Sequence, residues 1–225
     1  MTRYYPIMLR LEGETCLVVG GGPVAERRTR GLLDAGAAVR VVAPAATEGL
    51  KRLASERYIT WIRREYRDED LEGVRLCFAA ADRETNRRVA GEAARRGILV
   101  NAADDREIGS FAAPAVVRRG RLVLAVTASG ASPALAGRIA RELAKRYGES
   151  WADYAEWLYR LREAARAAVP DTRERRRVLR AALEVPEAEW RRDLAEGDMA
   201  ARIRMLAGQA ETRLAEDGMD GTDGE

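Results

Sequence analysis

The stretch CLVVGGGPVAERRTRGLLDAGAAVRVVAP, residues 16–44, constrains the fold of this chain more than any other. An apolar run meets three glycines, then a helix-like segment, then a second apolar run. Gly20, Gly22 and Ala25 form a G-x-G-x-x-A pattern. The first glycine permits a tight turn, and the second lets a backbone approach a pyrophosphate. The small residue at 25 allows close strand–helix packing, and the helix N-terminus presents unpaired amides to an anion. A bare glycine string is weak evidence, but here a strand precedes it, a helix follows, and a second strand comes about twenty residues on. Gly20, Gly21, Gly22, Pro23, Val24 and Ala25 are therefore candidate dinucleotide ligands.

The alternation continues to about residue 112. Strands are expected at 15–19, 39–42, 59–62, 75–80, 98–101 and 122–126, with helices over 24–35, 46–56 and 84–96. That order reads as α/β, a Rossmann-type parallel sheet with helices on both faces. The acidic turn at 67–73 has Asp68 and Asp70 suited to a helix start. After residue 126 a helix is expected over 132–147, with Leu135, Ile139 and Leu143 on one stripe. From Trp151 onward the pattern is all-helical, broken near Pro170 and Pro186, with Trp151, Trp157 and Trp190 as packing residues. The expected organisation is a nucleotide-binding domain over 1–112, a connecting and dimerisation region over 113–147, a helical domain over 148–215, and a disordered tail over 216–225.

The second strand should end in an acid that binds the ribose hydroxyls of NAD. Here it ends in VVAPAA, with neither acid nor arginine, so Pro44 and Ala45 must serve through their backbones. The residues alone leave NAD and NADP open; the missing arginine sets the expectation of a preference for NAD. The chain contains no histidine, which removes the usual general base and the commonest transition-metal ligand. No metal ligand set is read from the sequence.

Net charge is +3, and every cation except Lys51 and Lys145 is arginine. Arginine forks match carboxylate and phosphate oxygens, although a GC-rich genome would give the same bias. The arginines at 173–180 alternate with glutamate on helical faces without aromatic interleaving, so no nucleic-acid partner is expected. No apolar run is long enough for a membrane span. The N-terminus lacks the pattern of a signal peptide, and Cys16 and Cys77 fall in strands as buried thiols, so a cytoplasmic location is expected.

Four motifs stand in order along the chain: GGGPVAER at 20–27, NAAD at 101–104, FAAPA at 111–115 and SGASP at 129–133. With them the chain resembles the precorrin-2 dehydrogenase and sirohydrochlorin ferrochelatase family over about residues 3 to 210. That family includes free-standing forms and the N-terminal region of siroheme synthase. The resemblance implies NAD-dependent oxidation of precorrin-2, a reduced tetrapyrrole rimmed with carboxylates, to sirohydrochlorin. Some members then take Fe2+ as substrate and insert it, so the resemblance leaves chelation open. It also implies a homodimer through the helix at 132–147 and the residues around 111–117. The methyltransferase domain of the fused enzymes is expected to lie outside this chain.

Asp104 matches the family's functional aspartate, at the carboxyl end of an expected strand. A turn cap would use the same spacing equally well; the resemblance assigns Asp104 to catalysis. Ser129, Gly130 and Ser132 offer amides and hydroxyls to a substrate carboxylate, or form an ordinary capped helix start. Arg118, Arg119 and Arg138 are candidate partners of the tetrapyrrole carboxylates, with a solvated face as the plainer reading. The competing class is a non-catalytic NAD-binding or redox-sensing module on the same fold.

Overall fold

The structure is a computed structural model in which the described residues are 4–103, 105 and 107–219, those after 209 as backbone only. The chain divides into two compact units, Met1–Ala113 and Pro114–Glu225.

In the first unit, β1 (Thr15–Val19), β2 (Ala38–Val42), β3 (Ile59–Ile62), β4 (Leu76–Ala79) and β5 (Leu99–Ala102) form one parallel sheet in the order β3-β2-β1-β4-β5. The strands are connected through α1 (Pro23–Leu33), α2 (Glu48–Ser55), a 3-10 turn (Asp68–Leu71) and α3 (Arg83–Arg95). β1 is apolar and buried from Cys16 to Val19 because it is covered on both sides. Cys16 and Val18 meet Ala25 and Leu32 of α1 and Leu50 and Leu53 of α2. Leu17 and Val19 meet Leu71 of the turn and Val89, Ala90 and Ala93 of α3. The expected acidic turn forms: the Asp70 carboxylate accepts from the Arg67 amide at 2.8 Å and from both terminal nitrogens of Arg64 at 2.6 and 2.8 Å.

In the second unit, β6 (Ala115–Arg119) and β7 (Leu122–Val126) form an antiparallel hairpin, followed by α4 (Pro133–Arg146) packed on both strands. Four helices follow, α5 (Ser150–Ala168), α6 (Thr172–Ala181), α7 (Glu187–Glu196) and α8 (Met199–Met219), broken beside Pro170 and Pro186 as expected. Three features depart from the sequence reading. Residues 122–126 form a strand, but it joins a separate hairpin rather than the parallel sheet. Its partner β6 was not expected, because AVVRR buries only Val117 fully and its short run ends in two arginines. The hairpin and α4 both belong to the second unit. Finally, residues 216–219 of the expected disordered tail continue α8, and 220–225 lie outside the described residues.

The helical core of that unit surrounds Trp157, Leu161, Val178, Trp190, Ile203 and Leu206. Trp151 instead stands 36% exposed at its edge, against Tyr147 and Tyr154. A buried polar network fixes the register of α5, α7 and α8. Asp193 accepts from Trp157 Nε1 at 3.2 Å and from Arg202 at 2.7 and 3.1 Å, while Arg202 also pairs with Glu189 at 2.7 Å. Replacing Asp193 with alanine would leave the Arg202 guanidinium buried beside one carboxylate instead of two. We expect a loss of about 3–5 kcal/mol in denaturant unfolding of this unit. A loss below about 1 kcal/mol would show that the network is dispensable.

Candidate cofactor and active site

β1 ends where the strand order reverses, with β2 on one side and β4 on the other, the place where open parallel sheets receive ligands. The glycine turn is shaped by its neighbours there. Gly20 has φ +122°, and a Cβ on it would stand 2.2 Å from the Ala80 carbonyl oxygen that closes β4. A Cβ on Gly21 would stand 1.8 Å from the Ala45 carbonyl oxygen. These two glycines are required by the protein's own packing. Gly22 differs: a Cβ there would meet nothing within 4 Å. It is the N-cap of α1, supplies no side chain to the first-turn amides, and is followed by Pro23. The amides of the first turn of α1 have no intrahelical partner, and the space beside Gly22 at the switch point suits the pyrophosphate of a dinucleotide.

Pro44 and Ala45 lie in the loop that roofs this turn. The loop is held by Trp61 Nε1 donating to the Ala43 carbonyl at 3.0 Å and by the Thr47 amide donating to the Gly21 carbonyl at 2.9 Å. Thr47 then caps α2, and its hydroxyl donates to Glu26 of α1 at 2.6 Å. That bond, with a further one from Arg30, holds the Glu26 carboxyl below the usual carboxylate range. Glu26, Thr47 and Trp61 were not singled out in the sequence. The T-x-x-L start of α2 marks Thr47 as a cap, but no local signal links positions 26 and 47.

The chain's own contacts also fix the flanks of the loop that carries the expected catalytic residue. Asn101, 8% exposed, donates from its side chain to the Phe111 carbonyl at 2.9 Å. The Ser110 hydroxyl accepts from the Val100 amide at 2.8 Å, and the Ser110 amide donates to the Val100 carbonyl at 2.8 Å. Residues 109–111 are thereby folded back along β5, leaving the intervening loop at the carboxyl end of the sheet. Asp104 itself lies outside the described residues. Its neighbour Asp105 accepts from the Glu107 amide at 3.0 Å.

A family model described as "Putative NAD(P)-binding" matches residues 7–115. Siroheme synthase of Chromobacterium violaceum is 38% identical over 218 residues, 96% of this chain and 45% of that protein. Siroheme synthase of Neisseria meningitidis serogroup C is 42% identical over 175 residues, 77% of this chain and 36% of that protein. The chain thus spans less than half the length of these curated relatives. A solved structure named SirC, precorrin-2 dehydrogenase, superposes with a TM-score of 0.69 at 32% identity, covering 93% of this chain and all of that one. The chain belongs to the precorrin-2 dehydrogenase family.

For a member of that family, the candidate substrate residues all lie in the second unit. Ser129 has φ +48° and Gly130 φ +91°, so the SGASP segment turns sharply before α4. Ser132 caps α4, its hydroxyl accepting from the Leu135 amide at 3.1 Å. Arg118 is exposed, and no hydrogen bond or ion pair engages its side chain among the described residues. Arg119 is engaged: it donates to the carbonyls of Tyr147 at 3.0 Å and Ala144 at 3.2 Å, closing the end of α4. This structural duty accounts for an arginine at 119, and of the two candidate arginines on β6 it leaves Arg118 as the one available to an anion. Arg138 is largely exposed beside Glu142 at 3.7 Å. In the first unit the sequence reading passed over Arg28, whose guanidinium lies 5.2 Å from the Phe78 ring centre. Its Nε is buried with no partner among the described residues, and burial pulls its pKa down.

Among the described residues no group of three His, Cys, Asp or Glu could hold a metal ion, and no helix is long and apolar enough to cross a membrane. Cys16 and Cys77 are fully buried and unpaired. Burial, with Glu14 nearby, raises the Cys16 thiol to about 11, and burial pushes Cys77 up as well.

Proposed function

We propose that the chain oxidises precorrin-2 to sirohydrochlorin, a step of siroheme biosynthesis. The observation that carries this reading is the open Gly22 turn at the switch point of a chain that matches a precorrin-2 dehydrogenase over 93% of its length. The oxidation removes one hydride and one proton; NAD bound at this turn would supply the hydride acceptor. The amides of Val24 and Ala25 hold the pyrophosphate, and the Pro44–Ala45 loop positions the adenosine end. Asp104 accepts the proton. Arg118 and the turn at Ser129, Gly130 and Ser132 receive substrate carboxylates.

NAD is preferred over NADP on this reading. The run VVAPAA that ends β2 carries no cation of its own, and the ionised Glu26 beside the α2 start would repel a 2′-phosphate. Anaerobic incubation with precorrin-2 should show sirohydrochlorin absorbance growing at least about tenfold more efficiently with NAD than with NADP, a difference of about 1.4 kcal/mol. No change of colour with either cofactor would leave a non-catalytic NAD-binding module. Continuing the assay with sirohydrochlorin and Fe2+ against a protein-free control tests metal insertion. For that step the chain offers Asp104, because both thiols are enclosed in strands.

The active form is a homodimer on this proposal, built on the 113–147 region. Ala136 and Ala140 of α4 are buried, whereas Leu135 is 39% and Val116 of the hairpin 50% exposed, apolar area available to a second copy. Light scattering should give twice 24.9 kDa at micromolar concentration; a mass near 24.9 kDa would refute the dimer. A cytoplasmic location accords with the two unpaired thiols.

A further inference from the structure

The carboxyl edge of the sheet carries the cofactor site, yet an open cavity of about 490 Å³ lies at the opposite, amino edge. Its wall includes the first residues of three strands, Thr15, Ala38 and Ile59, with Arg40, Arg57 and Glu72. The volume falls within the range of about 300–1,000 Å³ common to small-molecule sites.

Two features of the arginines are unexplained by folding alone. The strand register sets Arg40 between Leu17 and Thr60, in the interior of a parallel sheet, where an apolar residue is the rule. Its Nη2 donates to the Glu72 carbonyl at 2.8 Å, but its Nε is buried with no partner among the described residues. Arg57 follows the end of α2 in the left-handed region, at φ +62°. The Tyr58 amide donates to the Leu53 carbonyl and the Arg57 amide to the Ala54 carbonyl, the closure of a helix end that ordinarily takes glycine at this position. A side chain there works against backbone preference. Its guanidinium makes no hydrogen bond or ion pair among the described residues and lines the cavity beside Tyr58, which is 62% exposed.

We propose that this amino-edge cavity binds a small organic or inorganic oxyanion, carrying carboxylate or phosphate, through the Arg40 and Arg57 guanidiniums. Both groups present fork-like donors that match either oxyanion; Arg40 also faces the Asp70 carboxylate, so Arg57 is the cation that no carboxylate balances among the described residues. The ligand is smaller than a tetrapyrrole and binds apart from the dinucleotide.

Amide resonances of the full chain are followed during titration with inorganic phosphate in one arm and citrate in the other. Shifts should saturate at residues 38–40, 57–60 and 72–73, and the arm that saturates at the lower concentration identifies the ligand class. Arg57→Gly should weaken that binding about tenfold or more. The same variant should raise the melting temperature by about 2–4 °C, since glycine suits the left-handed position. Its NAD affinity should stay within about twofold of wild type. The proposal is overturned if neither anion shifts these amides up to saturating salt, or if Arg57→Gly binds as wild type does. A fall in melting temperature, or a parallel loss of NAD affinity, would equally overturn it.

Discussion

Gly22→Asp is expected to abolish NAD binding while the chain stays as stable as wild type or gains stability. Gly22 sits at the N-cap of α1 with φ −85°, a conformation open to any residue, and a side chain there meets no protein atom within 4 Å. Aspartate is among the best N-caps, and its charge complements the helix N-terminus, so folding should gain up to about 1 kcal/mol. The same carboxylate would occupy the amides that await the pyrophosphate and would repel its charge. We expect the NAD dissociation constant to rise at least about 100-fold, or about 2.7 kcal/mol. Gly21→Ala provides the contrast. Its Cβ would overlap the Ala45 carbonyl, so the roof of the turn must move, at about 1–3 kcal/mol of stability. Titration calorimetry paired with thermal melting separates the two cases. NAD binding by Gly22→Asp within about tenfold of wild type would show that α1 does not hold the cofactor.

The sequence pattern gives Gly20 the tight turn and Gly22 the approach to the pyrophosphate, but the packing that requires glycine at 20 and 21 was not legible from it. The packing of Gly20 on Ala80 and of Gly21 on Ala45 depends on contacts 60 and 24 positions away. What was legible follows one-dimensional patterns. β1 and β3 occupy the residues expected of them because each is an apolar run with a clear break at its end. β7 was found at its true bounds but given the wrong partner, since an apolar LVLAV run fits a parallel sheet as well as a hairpin. Its actual partner carries Arg118 and Arg119, residues that drew attention as ligand contacts. The structure shows that Arg119 closes the end of α4 through carbonyls at 144 and 147. The Asp193–Arg202 pair was hidden for the same reason: two charges nine positions apart in arginine-rich helices look solvated until the helices are packed.

Asp104→Asn is expected to lower the rate of precorrin-2 oxidation by about 100- to 10,000-fold, the range lost with a general base. A histidine-free chain has few groups able to accept a proton near neutral pH, and the two thiols are enclosed in strands with raised pKa. The flanks of the 103–109 stretch are tied together, Asn101 to Phe111 and Ser110 to Val100, and these bonds do not involve the residue changed to its amide isostere. NAD affinity should remain within about twofold if, as proposed, the dinucleotide is held at the Gly22 turn rather than at β5. Asp105→Asn serves as the control. That carboxylate accepts from the Glu107 amide, a role an asparagine oxygen can fill, so its variant should retain most of its activity. Single-turnover rates at saturating NAD, with melting temperatures for both variants, make the comparison. Undiminished oxidation by Asp104→Asn would remove this residue from the chemistry. An equal loss in both variants would mean that the order of the loop, and not a proton acceptor at 104, governs the rate.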